Sequence, residues 1–267
     1  MQAHRLPARH GVFWLVNGFY LYRRNPPLLS MLTFANLLLA LFCSLLQPIG
    51  PFLLVLASPL IITLIANACA AIAAHGPLQL KPAMLTRGLR ENLRQLLRLG
   101  MVQLACLTIV TLLVDAVLPQ IDPAMLTAAQ EAGKSTGKVA GADAETIGWL
   151  LLNITLVGLM TLPAFWFAPL LTAWHGTPPV KSVFFSFVAV WRNWRAFFAY
   201  TASAAAIAVL IPALLLALFN HLGGPIGSFL GTLVQLLILL TAAPVLATGA
   251  YCSYREIMAE TPPEEPA

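Results

Sequence analysis

Long apolar runs alternate with short basic stretches along this chain. Segments rich in Leu, Ala, Val, Ile and Phe occupy residues 28–47, 52–73, 96–118, 147–172, 197–219 and 226–251. At 1.5 Å rise per residue, each is long enough to cross a hydrocarbon layer about 30 Å thick. The apolar positions do not alternate with a period of two, so the pattern predicts six transmembrane helices and not a barrel. Pro48, Gly50 and Pro51 predict a tight turn between the first two spans. Pro59, Pro163, Pro169, Pro212 and Pro244 fall inside later spans and predict kinks. Kinks of this kind either shape a bundle or line a transport site, and proline is common enough in spans to favour the first.

The segments between spans carry patterns of their own. Residues 10–24 predict an opening helix at the interface, with Phe13, Trp14, Phe19, Tyr20 and Tyr22 as interfacial aromatics and Arg23 and Arg24 at its end. In 180–197, Val180, Phe184, Phe187, Val188 and Trp191 recur at three- and four-residue spacing, which predicts a connector helix with an apolar face toward lipid. Pro82 and Pro178–Pro179 suit helix starts. Residues 119–146, rich in Gly, Ala, Thr and Ser, read as a flexible loop, with a short surface helix at 123–133 as the alternative. Residues 257–267 read as a disordered Pro- and Glu-rich tail.

Composition reinforces the pattern. The chain is 59% hydrophobic and 9% charged, whereas a water-solvated domain carries about 25% charged residues. Charge also sets the predicted orientation. Thirteen of the fifteen Lys and Arg residues lie in residues 1–24, 75–98 and 175–195 or at 255: before the first span, between spans two and three or at the third's entrance, between four and five, or after the sixth. Only Lys134 and Lys138 fall in the 119–146 loop. With six crossings the positive-inside rule places both termini and both basic connectors in the cytoplasm. The net charge of +5 is then a matter of anionic lipid headgroups, and nucleic-acid binding is not expected, because no folded polar domain presents a basic surface. Cys43, Cys69, Cys106 and Cys252 lie in or at the ends of apolar spans without a Cys-x-x-Cys pair, so they read as small buried hydrophobes. The run 28–46 has no small-residue cleavage site after it, and the chain is expected to be retained uncut.

The two basic connectors resemble each other. His75-Gly76 and Lys81 are matched by His175-Gly176 and Lys181 at an offset of 100, and Asn92-Leu93-Arg94 by Asn193-Trp194-Arg195 at 101. The ordered set predicts a duplicated unit of span, connector and span, in which the two copies are parallel repeats.

Candidate chemistry is sparse. His75, Lys81, Arg94, His175, Lys181, Arg192 and Arg195 are candidate contacts to lipid headgroups or to a partner. Two histidines with no nearby carboxylate or thiolate make a poor metal set, so no metal or other cofactor is expected. Asn36, Asn67, Gln103, Asn153 and Gln235 are the intrabundle polar candidates and are expected to link helices. No charged residue sits near a span centre, which argues against ion-driven transport. There is no Gly-rich phosphate loop, no His-Glu-x-x-His and no nucleophile with base and acid, so an enzyme is not expected.

Phe165-Trp166-Phe167-Ala168-Pro169-Leu170-Leu171, Trp174-His175-Gly176, Phe184-Phe185-Ser186-Phe187, Arg192-Asn193-Trp194-Arg195 and the opening Pro7-Ala8-Arg9-His10-Gly11 resemble a family of uncharacterised proteobacterial inner-membrane proteins of unknown function. More distantly, the layout of interfacial helices is similar to membrane domains attached to some glycerophosphodiester phosphodiesterases, without their catalytic domain. The resemblance implies a multi-pass bacterial inner-membrane protein whose 119–146 loop is periplasmic. The sequence thus points to an all-α polytopic bundle with interfacial connector helices. Its expected role is a non-enzymatic one, organising anionic lipids or an unidentified membrane or cytoplasmic partner. The alternative is a transporter or channel for a small, weakly charged or apolar solute, which requires a polar-lined cavity reaching midplane.

Overall fold

The computed structural model describes residues 4–76, 81–117, 144–222 and 224–258. All regular structure among these residues is helical, and six stretches are long and apolar enough to cross a membrane: Pro26–Leu45, Ile49–His75, Leu93–Ala116, Thr155–His175, Trp194–Phe219 and Phe229–Ile257. They coincide with the six runs read from the sequence. We call the end of the bundle that carries the Arg- and Lys-bearing connectors the basic side.

Helix α1 (Arg9–Arg24) precedes the first span. Asn25 then caps α2 (Pro26–Leu45), its side chain accepting from the Leu28 N–H at 3.2 Å, with two prolines at positions where no N–H is needed. A short turn leads into α3 (Ile49–His75), which packs back along α2. Among its described residues the first connector holds a four-residue helix, α4 (Pro82–Leu85), followed by turns, before α5 (Leu93–Val117). The fourth span is α6 (Ala144–Phe165) and α7 (Ala168–His175) in succession. The second connector is α8 (Pro179–Arg192). The fifth span runs through α9 (Trp194–Ala205), a π-helical turn (Ala206–Leu210) and α10 (Ile211–Leu222). The sixth is α11 (Gly224–Ile257). The 123–133 segment, for which a surface helix was the alternative, and most of the 119–146 loop lie outside the described residues. So does the tail beyond Met258, although Ile257, placed in the tail by sequence, is helical and fully buried.

Local chemistry accounts for the breaks. Pro163 sits near the end of α6, and its carbonyl would normally accept from the Phe167 N–H. Ser186 of α8 inserts there instead: its Oγ donates to Pro163 O and accepts from Phe167 N, each at 2.9 Å. A side chain placed in the ladder is one of the recognised causes of a helix kink. In α3 and α11 a threonine four residues after the proline returns a hydroxyl to the proline carbonyl, Thr63 to Pro59 at 2.7 Å and Thr248 to Pro244 at 3.0 Å.

Helix α1 departs from its expected role. It lies across α9 and α11, and Trp14, expected at the interface, is completely buried against Phe197 and Tyr200 with ring centroids 5.1 and 6.1 Å away. Two glycines permit this approach. A Cβ on Gly11 would stand 2.0 Å from the Ala196 carbonyl oxygen, and one on Gly18 2.7 Å from the Gly249 nitrogen. The indole N–H of Trp14 and the imidazole Nδ1 of His10 both meet the carboxylate of Glu256. An interfacial aromatic needs a wet edge for its N–H; here Glu256 supplies the acceptor, so the ring can be interior. Phe13, Phe19 and Tyr20 do stay exposed.

Connector helix α8 exposes most of its expected apolar face, with Val188 half-buried. Val180, Phe184, Phe187 and Trp191 are exposed, while Ser182, Ser186, Ala189 and Val190 face the bundle. The two connectors themselves differ, one nearly all turn and the other a fourteen-residue helix packed on α5, α6 and α7. Both His-Gly pairs end a helix with glycine in the left-handed region, φ 76° and 62°, but a duplicated connector is not shown.

Candidate functional site

The basic side of the bundle contains a cavity of about 460 Å³ between α3, the first connector, α7 and α11. Its position is set by where three helices stop. Helix α3 ends at His75, α7 at His175 and α11 at Ile257, and the side chains of their last turns converge: Ala71, Ala74 and His75 from α3, Trp174 and His175 from α7, and Tyr251, Tyr254 and Arg255 from α11. Met84, Arg87 and Met258 complete the rim, and Asn67 lies about two turns deeper than His75.

Asn67 organises the floor. It is buried, its amide donates to the carbonyls of Leu85 and Arg87 at 2.8 Å each, and its oxygen accepts from the Trp174 indole at 2.7 Å. The span-embedded amide thereby folds the first connector back over the bundle and sets Arg87 at the cavity mouth. Asn92 fixes the far end of the same connector by donating to Ala173 O at 3.0 Å. Trp174 packs edge-on against Tyr254 at 5.1 Å and Tyr251 at 6.4 Å, and Tyr254 meets Phe167 at 5.6 Å. The hydroxyl of Tyr254 is 2.9 Å from His175 Nε2. The wall is thus a set of interlocked aromatics, with the Trp174 N–H turned inward to Asn67 and the Tyr254 hydroxyl turned to His175.

Electrostatically the cavity is one-signed. Arg87 and Arg255 are exposed at its rim, His75 and His175 share it, and none of its described lining residues is Asp or Glu. The converging helix ends work against this, each carrying roughly half a negative charge. That partial charge is spread over carbonyls and fades within the last turn, so it holds the arginines and histidines near the helix ends and does not neutralise two whole guanidinium charges. The arrangement can receive an anion with several oxygens, since a guanidinium presents a planar fork of donors to a phosphate or carboxylate.

The other predicted residues lie apart from one another. Lys81, Arg94, Lys181, Arg192 and Arg195 are exposed on the basic side outside the cavity, with the Arg195 guanidinium 5.5 Å from the Trp194 ring centroid. Gln103 accepts from Ser58 at 3.0 Å between α5 and α3. Asn153 donates to Asp115 at 2.9 Å at the opposite end of the bundle. Asn36 is half-buried on α2, and the side chain of Gln235 lies outside the described residues. Of the polar candidates, then, only Asn67 joins the two histidines.

Sequence reasoning counts Arg87 and Arg255 only among the basic residues that set the orientation, and gives Tyr251 and Tyr254 no part in a site. The spacing of three and four from Tyr251 to Tyr254 and Arg255 is the usable signal, because it places all three on one helix face. The contribution of Arg87 has no local signal, since it depends on Asn67 twenty residues away. Glu256 and its partners His10 and Trp14 are equally hidden by a sequence separation of more than 240 residues.

Below the cavity, toward the bundle centre, a second space of about 270 Å³ adjoins it between α3, α5, α6, α7 and α11, with Gln103 of α5 in its wall. Its walls include Ile62, Ala66, Leu162, Phe165, Trp166 and Ala250, and Tyr251 borders both spaces. Among the described residues no group of three His, Cys, Asp or Glu is placed to hold a metal ion.

No protein-family model matches the chain, and no solved structure does. A protein of Burkholderia thailandensis described as a probable inner membrane protein is 32% identical over 268 residues, covering 95% of this chain and 91% of its own length. Identity sustained over 95% of the chain, together with the six apolar helices, makes this an integral membrane protein that belongs to the same family as that inner membrane protein.

Proposed function

We propose that the chain is a non-enzymatic protein of the bacterial inner membrane, with both termini cytoplasmic, that binds the phosphate of an anionic lipid headgroup in its basic cavity. The carrying observation is the convergence of Arg87, Arg255, His75 and His175 on one space whose described lining has no carboxylate. The relative's description supports the membrane. The distribution of Lys and Arg supports the orientation, which sets the cavity at the cytoplasmic leaflet. Headgroup phosphates of that leaflet are the anions present there at highest local concentration, and the exposed Lys181, Arg192 and Arg195 would draw them in without selecting among them.

A transporter would need a polar route to midplane. Below Asn67 and Trp174 the next space is walled mainly by Ile62, Leu162, Phe165 and alanines, with Gln103 as an amide whose oxygen already accepts from Ser58, and this offers a polar solute little lining. Lipid binding is the better fit to that change of character.

The test is binding of a short-chain phosphatidylglycerol to the purified protein in neutral detergent at fixed salt. Replacing both Arg87 and Arg255 by Gln should weaken it by about tenfold or more, with phosphatidylcholine unaffected. Equal binding of the anionic lipid by wild type and variant would refute the reading.

A further inference from the structure

The two adjoining spaces line up along the same helices. On α3, His75, Ala74 and Ala70 border the basic cavity and Ala66, Ile65 and Ile62 the apolar one. On α11 the sequence is Arg255 and Tyr254, then Tyr251 in both, then Ala250 and Ala247. From His75 to Ile62 is thirteen residues, about 20 Å along the helix axis, more than the roughly 15 Å depth of one leaflet's hydrocarbon. The cleft between α3 and α11 therefore runs from the headgroup level to the bilayer centre, and it changes from charged to apolar on the way. Alanines on both helices keep it open. Its apolar part is reachable from the side, since Ile62 and Leu162 are 38% and 58% exposed.

We infer that this cleft holds one whole anionic phospholipid, its phosphate between Arg87 and Arg255 and one acyl chain lying along Ala66, Phe165 and Ala250. This rests on the headgroup reading above and adds the chain. Charge complementarity selects the head, and the lateral opening admits the lipid without its leaving the bilayer. A free phosphate or soluble anion would use the upper space alone and be indifferent to the lower. The two spaces together fall within the size range of small-molecule sites, about 300–1,000 Å³.

Native mass spectrometry of the full chain released from mixed-lipid nanodiscs tests this, comparing wild type, the Arg87→Gln/Arg255→Gln pair and Ala250→Phe, which fills the lower space. The expected result is one retained long-chain phosphatidylglycerol on wild type, reduced about tenfold or more by either change, while Ala250→Phe still binds the short-chain lipid as wild type does. Retention of the long-chain lipid by folded Ala250→Phe overturns the chain assignment and leaves the headgroup reading standing. Retention by the arginine pair overturns both. Competition by inorganic phosphate as effective as that by the lipid also overturns the inference. Should Ala250→Phe not fold, a photoactivatable diazirine placed mid-chain on phosphatidylglycerol and used with the wild-type protein decides the question. Crosslinks concentrated at Ile62, Leu162, Phe165 and Ala250 support the cleft, and crosslinks spread evenly over all spans refute it.

Discussion

The two ends of this bundle are built by different rules. On the basic side, Trp14, Leu29, Ile72, Phe167, Leu171, Tyr254 and Ile257 form one continuous buried core, and Asn67, Ser186, Asn193 and Glu256 bind segments distant in sequence. Toward the opposite side the described spans meet with few buried side chains. In α2 only Leu29 and Cys43 are buried, while Leu41, Phe42 and Leu45 are 58%, 59% and 76% exposed. Hydrocarbon explains the contrast, because lipid tails are as apolar as leucine and burying a leucine there gains little. What holds membrane helices together is close packing and satisfied polar groups, and this chain places both near one interface. A region so heavily cross-tied, with a cavity left in its middle, is where a ligand site is most economically fixed in shape.

Four substitutions would break or sharpen that contrast, measured as the midpoint of thermal unfolding in detergent. Trp14→Ala removes a fully buried indole from the centre of the basic-side core and should cost about 3–5 kcal/mol. Gly18→Val forces a side chain onto the Gly249 backbone and should cost about 1–3 kcal/mol, with α1 becoming accessible to protease. Asn67→Leu strands the Trp174 N–H and the carbonyls of Leu85 and Arg87, for about 1–2 kcal/mol; it should also lower anionic-lipid binding, since Arg87 loses its anchor. Leu45→Ala, at the opposite end, should stay within about 0.5 kcal/mol of wild type. If Leu45→Ala proved as damaging as Trp14→Ala, the two ends would not differ as argued.

The spans, their number and the exposed apolar side of α8 were legible because they depend on local runs and short-period patterns. Phe184, Phe187 and Trp191 announce a helix face by spacing alone. The burial of Trp14 was not legible, since an indole beside aromatics at a span entrance looks like an interfacial anchor until Gly11, Gly18 and Glu256 are seen to meet it. The site was half legible. His75, His175 and Asn67 stood out as polar residues in apolar surroundings, but their convergence depends on how α3, α7 and α11 pack. The repeated His-Gly pairs misled in one respect: the same helix-ending signal introduces an almost purely turned connector in one place and a long helix in the other. The residues downstream of each glycine decide between the two, because 180–192 carries a continuous helical apolar pattern and 81–92 is interrupted by Gly88, φ 72°.

If the basic cavity holds a lipid phosphate, electron cryomicroscopy of the protein in nanodiscs containing phosphatidylglycerol shows it most directly. The expected result is density for a phosphate within hydrogen-bonding distance of Arg87 and Arg255, with a chain descending past Tyr251. A cavity occupied by water alone, with ordered anionic lipid elsewhere on the protein, would contradict it.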